Sequence, residues 1–174
     1  SETLGTNQLC QEDLLRHISS YCTKLAERGN RTDVSRRLVI AGSSEPIQQT
    51  AIINNKKPTL IYADPGAGKS ELLKYYAAEL AKDWLSHTRN EVPVFLEARG
   101  WSRRYSSLIE GIAKEVFGNA SESAMSLIRD NISIFRLIVD GLDEARCDRD
   151  LLFEELEEKD PNHFAVRQYK KYKL

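Results

Sequence analysis

The stretch 59-TLIYADPGAGKSELLKYY-76 decides the fold. A short apolar run reads as a strand over about 58–63, a glycine-containing loop follows, and helical periodicity runs over about 69–87. That order is the context in which a G-x-x-x-x-G-K-[ST] pattern carries physical meaning. Gly66 and Gly68 let the backbone curl so that successive N–H groups converge on phosphate oxygens. The helix behind them aims the positive end of its dipole at the same point. Lys69 would reach the β- and γ-phosphates as a point charge, and the Ser70 hydroxyl would hold Mg²⁺. The candidate nucleotide-contacting residues are therefore Asp64, Pro65, Gly66, Ala67, Gly68, Lys69, Ser70 and Glu71. The first position of the pattern is Ala63, not glycine; a methyl group at a strand end costs little as long as φ stays negative. The competing reading is a glycine-rich turn without a ligand.

Outward from this loop the chain alternates. Strand patterns recur at 92-VPVFLEA-98 and 134-IFRLIVD-140, with helical patterns at about 105–117, 122–131 and 148–159. Near-continuously apolar strands separated by helices predict an α/β fold of three layers with a mostly parallel sheet. Upstream, residues 8–30 carry Leu9, Leu14, Ile18, Tyr21, Cys22 and Leu25 at helical spacing, and 36-RRLVIA-41 suggests an extra strand or hairpin arm. The expected organisation is an N-terminal helix and linker over 1–55, a nucleotide-binding core over 56–160, and a basic tail over 161–174. Arg, Lys and Tyr interleave in 167-RQYKKYKL-174, a pattern that can bind nucleic acid, but a solvated terminus is the preferred reading.

The second motif is 136-RLIVDGLDEA-145, an apolar strand that delivers a carboxylate at its end. Asp140 is placed to support magnesium opposite Ser70, and Asp143 and Glu144 are the candidate catalytic residues that orient or deprotonate water. The competing reading is a turn with Asp143 as a helix cap.

Composition narrows the rest. The chain has 174 residues, 41% hydrophobic and 29% charged, with a formal net charge of −1, so neither nucleic acid nor an anionic membrane is called for. No apolar run approaches the ~18 residues needed to span a bilayer. Residues 1–10, SETLGTNQLC, carry no signal-peptide core, and a cytoplasmic location is expected. Cys10, Cys22 and Cys147 show no paired spacing, and His17, His87 and His163 are scattered, so no disulfide framework or zinc site is supported.

The strand ending in 140-DGLDE-144 resembles the Walker B segment of the NACHT group of STAND-class P-loop ATPases, and 92-VPVFLEARGW-101 is similar to the strand that family places between its Walker motifs. The resemblance covers about residues 58–158. It implies ATP or ADP with Mg²⁺, a signalling switch that exchanges ADP for ATP when a partner is sensed, and oligomerisation; bacterial members often act in defence. The family pattern also includes a sensor strand between the two Walker strands, a lid and a winged-helix domain. None is legible after Asp140, so the sheet is expected to be incomplete at the sensor strand. Either residues 163–169 fill that slot, with Arg167 or Gln168 near the γ-phosphate, or a protein partner or second copy completes the site. Turnover would then be slow or partner-dependent, with Arg99, Arg103 and Arg104 as candidate trans-acting cations. The alternatives are a non-catalytic nucleotide-binding regulatory module and, more weakly, a P-loop kinase.

Overall fold

The structure, a computed structural model, describes residues 8–29, 38–40, 44–48, 50–55, 59–145, 150–152, 154–155 and 170–173. The fold is α/β. In chain order the elements are α1 (Gln11–Gly29), β1 (Leu38–Ile40), β2 (Pro46–Ile47), α2 (Thr50–Ile53), β3 (Thr59–Tyr62), α3 (Lys69–Leu85), β4 (Val92–Glu97), α4 (Trp101–Arg104), α5 (Leu108–Phe117), α6 (Glu122–Asp130), β5 (Phe135–Asp140) and β6 (Lys170–Lys173). Single 3₁₀ turns at Ile132–Ile134 and Leu142–Glu144 flank β5.

Among the described residues the strands form two sheets. In the first, β4 and β5 run parallel from Val92 opposite Phe135 to Glu97 opposite Asp140. The second has the order β2-β1-β6-β3; β3 and β6 are parallel, whereas β1 is antiparallel to both β2 and β6. Among the described residues β3 and β5, the two strands that carry the motifs, do not pair.

One hydrophobic cluster joins the helices to both sheets. The helical spacing of α1 buries Leu14, Ile18, Tyr21, Cys22 and Leu25, and α3, which packs against it, buries Leu72, Tyr76, Ala77, Leu80 and Ala81. Alanines at the contact let two helices approach closely and still fill the space. Burial pushes the Cys22 thiol up to about 12, so it stays a neutral packing group. Helix α1 also protects the edge of β4. The Phe95 amide donates to the Tyr21 hydroxyl at 3.0 Å and so points away from β5. Along a parallel strand the N–H direction alternates, so Pro93, two residues earlier, also faces outward. A residue without an N–H is tolerated there because no ladder bond is lost.

Several expectations need correction. The helix expected over about 105–117 starts three residues late: Tyr105 is extended, α5 begins after Ser107, and the short α4, which was not expected, precedes it. The Ser107 hydroxyl accepts from the Glu110 amide at 3.1 Å, while the Glu110 carboxylate accepts from the Ser106 amide at 2.9 Å. This reciprocal cap fixes the new start. Lys170–Lys173 are not a free tail: they form β6, which is paired on both edges, with β3 and with β1. Backbone pairing decides that placement, not side-chain pattern. Residues 163–169, proposed above for the sensor slot, lie outside the described residues, as do Cys147 and most of the 148–159 helix; residues 150–152 and 154–155 are helical. No helix among the described residues is long and apolar enough to cross a membrane.

Candidate functional site

Both motifs sit where their strands end. The loop after β3 spans Ala63 to Gly68 and is drawn into a turn by the Ala67 amide, which donates to the Asp64 carbonyl at 3.1 Å. Gly66 (φ 78°) and Gly68 (φ 84°) are left-handed, a conformation open to glycine at little cost, and Gly68 is the N-cap of α3. Among the described residues only His87 is a non-glycine with positive φ, so Ala63 keeps the negative φ that makes the missing first glycine tolerable. Asp64, Pro65, Gly66 and Ala67 are exposed; Gly68, Lys69, Ser70 and Glu71 are half-buried. The first turn of a helix has amides with no partner inside the helix, and here that turn begins at Lys69 and faces the loop.

The second half of the site is the end of β5. The Ala98 amide donates to the Asp140 carbonyl at 2.8 Å, which extends the β4–β5 ladder to the last residue of the strand. Gly141, at φ 72°, turns the chain into the 3₁₀ turn that carries Asp143 and Glu144. The Asp140 Oδ1 atom is buried and has no hydrogen-bond partner. A buried carboxylate oxygen left unsatisfied is costly, and a cation or a water held by one would relieve it.

The two halves meet. Lys69 Nζ lies 3.1 and 3.2 Å from the two carboxylate oxygens of Asp143. This contact brings the loop after β3 to the turn after β5, although their strands belong to different sheets. Glu144 extends the other way, its Oε2 lying 3.9 Å from Arg99 Nη1 at the end of β4. Ser70 and Asp140 share no hydrogen bond. The residues therefore fit Mg²⁺ in part: Asp140 offers one oxygen in want of a partner, and Ser70 one hydroxyl. Magnesium held mainly by water and phosphate needs no more than one or two protein oxygens. Among the described residues no group of three or more His, Cys, Asp and Glu side chains could hold a metal by itself.

Of the three arginines named as trans-acting cations, Arg104 is committed to its own loop. It donates to the carbonyls of Glu97 (2.7 Å) and Arg99 (2.6 Å) and pairs with the Glu97 carboxylate. Arg99 faces Glu144 within the same chain, and Arg103 is exposed.

Sequence reasoning missed Arg136. From the first half of β5 its guanidinium donates to the carbonyls of Ile53 (2.9 Å), Ile52 (3.3 Å) and Asn55 (2.8 Å), which close α2 ahead of β3. The only signal was an arginine inside an otherwise apolar strand. A shallow hollow bordered by Arg16, Ser19, Ser20, Thr23, Lys24 and Glu27 lies on one face of α1 and shares no residue with the loop.

Comparisons with protein-family models, curated proteins and solved structures return no match for this chain.

Proposed function

We propose that the chain is an ATP·Mg²⁺-binding, NACHT-like domain of the three-layer P-loop class, with slow or partner-dependent hydrolysis to ADP and phosphate. The observation that supports this reading is the meeting of Lys69 with the 140–144 acidic turn, beside a buried, unpartnered Asp140 oxygen. A glycine turn without a ligand has no need of that convergence. Lys69 and the first-turn amides of α3 bind the phosphates. Ser70 and Asp140 hold magnesium, which when bound neutralises charge on the transferred phosphoryl group. Glu144 orients the attacking water and accepts its proton. Arg99 stands close enough to Glu144 to bias its direction. The site is completed by a protein partner or a second copy, and a cytoplasmic switch, of the kind used in bacterial defence, is the setting that fits.

A second reading, a nucleotide-binding regulatory module without turnover, is favoured by the absence of β3–β5 pairing among the described residues. Without that pairing the water-orienting turn is not tied to the phosphate loop through backbone.

ATP and ADP binding with Mg²⁺, and hydrolysis, separate these readings. Lys69→Ala removes a charged contact and should weaken nucleotide binding at least about tenfold. Glu144→Gln should keep binding and lose turnover. Binding retained with no turnover in the wild type supports the regulatory module, and equal, negligible binding in all three proteins sinks both readings.

A further inference from the structure

We infer that Asp143 is a latch on the phosphate loop: its carboxylate takes, on Lys69, the place of a nucleotide's terminal phosphate, and nucleotide entry must displace it. The inference rests on the nucleotide-binding reading of this site and adds its regulation. An ammonium group has three donors, and Lys69 directs its head at both oxygens of Asp143, at 3.1 and 3.2 Å. A carboxylate held this way presents two anionic oxygens to the lysine, as a phosphate does. Lys69 bonds Asp143 and not Asp140, whose Oδ1 is left buried and unpartnered. The pair therefore does not serve to satisfy the strand-end acid.

The pair is also built to yield. The Asp143 side chain is 66% exposed and that of Lys69 23%. Exposed pairs of this kind are weak, so a diphosphate with several charges displaces the carboxylate at the cost of a few-fold in affinity. Displacement has a route outward. Asp143 and Glu144 share one 3₁₀ turn, closed by the Glu144 amide on the Gly141 carbonyl at 2.9 Å. Glu144 faces Arg99 at the start of the β4–α4 loop, and Arg104 clasps that loop through the carbonyls of Glu97 and Arg99. Occupation of Lys69 by phosphate thus frees a turn whose next residue contacts an exposed, arginine-bearing surface.

The test uses the full chain as wild type, Asp143→Asn and Glu144→Gln, with inorganic pyrophosphate and Mg²⁺·ADP as calorimetric probes. Glu144→Gln removes the same charge one residue away without touching Lys69. The latch requires Asp143→Asn to bind pyrophosphate about 2–5-fold tighter than wild type, and tighter than Glu144→Gln. Equal gains in the two variants, or none in Asp143→Asn, overturn the latch while leaving nucleotide binding in place. Should neither probe bind any of the three, the nucleotide reading falls and the latch falls with it. In the ligand-free protein, hydrogen exchange over residues 64–70 must be faster in Asp143→Asn than in Glu144→Gln, and equal rates overturn the latch alone.

Discussion

Glu110 shows how one residue joins local chemistry to stability. Its carboxylate is held down to about 2, first by hydrogen bonding to Lys114 and then by the Ser106 hydroxyl and amide. The ordinary value is 4.5, so the ionised form is favoured in the folded chain. A group with a depressed folded-state pKa contributes stability that is fully present above its unfolded value and is lost as pH falls through its folded value. The contribution of Glu110 is therefore complete above about 4.5 and fades toward about 2. Thermal unfolding of wild type and Glu110→Gln across that window measures it. The gap between the two proteins should close as pH falls, and a gap that stays constant from neutrality to pH 2 would remove Glu110 from this role. Ala63 and Lys69 mark what was legible at this scale. The sequence allowed alanine at the loop's first position on the condition of a negative φ, and Ala63 meets it. The partner of Lys69 was not legible, because nothing local distinguishes Asp140, Asp143 and Glu144 as takers of one lysine. Only the meeting of two loops from separate sheets selects Asp143.

Elements were legible where one period ran long enough. Helices α1 and α3 and strands β4 and β5 follow from repeating apolar positions, with boundaries shifted by one to three residues. Where a short element precedes a longer one, periodicity places the boundary poorly: α4 was not expected, and α5 starts at Leu108 rather than at 105. The signal that separates them was present as Ser107 and Glu110 at capping-box spacing. β2 and β6 have two and four residues and exist through pairing, so no pattern within them could announce a strand. The α4–α5 junction makes a prediction of its own. A Cβ on Gly111 would stand 2.8 Å from Cη2 of Trp101, a buried ring that also packs at a tilt against Tyr105 with centroids 4.6 Å apart. Alanine is better than glycine inside a helix by about 1 kcal/mol, whereas overpacking costs roughly 1–3 kcal/mol. Gly111→Ala should therefore be destabilising by about 1 kcal/mol in chemical denaturation, despite its better helix propensity. A stabilised variant would mean that the Trp101 ring has room to retreat.

At the scale of the whole molecule the question is what holds the two sheets together when, among the described residues, their motif-bearing strands do not pair. Part of the answer is apolar: α3 follows β3 in one sheet and packs against β4 and β5 of the other. The rest is polar and lies at both ends. Beyond the carboxyl ends of β3 and β5, Lys69 meets Asp143. In the first half of β5, Arg136 reaches the carbonyls of Ile52, Ile53 and Asn55, with Glu91 3.8 Å away to balance its charge. This tie between the two sheets was not legible in the sequence, since a side chain that bonds backbone carbonyls leaves no sequence motif. The two ties differ in strength. Lys69–Asp143 is exposed and weak, whereas the Arg136 side chain is 19% exposed and fixed on three carbonyls. Hydrogen bonds from a charged donor contribute about 1.5–3 kcal/mol, and leaving carbonyls unsatisfied adds to the loss. Arg136→Ala should thus destabilise the fold by about 2–3 kcal/mol in urea unfolding, more than Lys69→Ala, whose loss falls on ligand binding. Arg136→Lys restores charge but not the planar fork, so it should recover only a minor part. Because Arg136 fixes β5 against the residues that lead into β3, its loss should also raise hydrogen exchange at Asn54 and Asn55 before global unfolding. If Arg136→Ala unfolds at the wild-type urea midpoint, the Arg136 tie adds nothing to the fold, and the packing of α3 on both sheets carries its share.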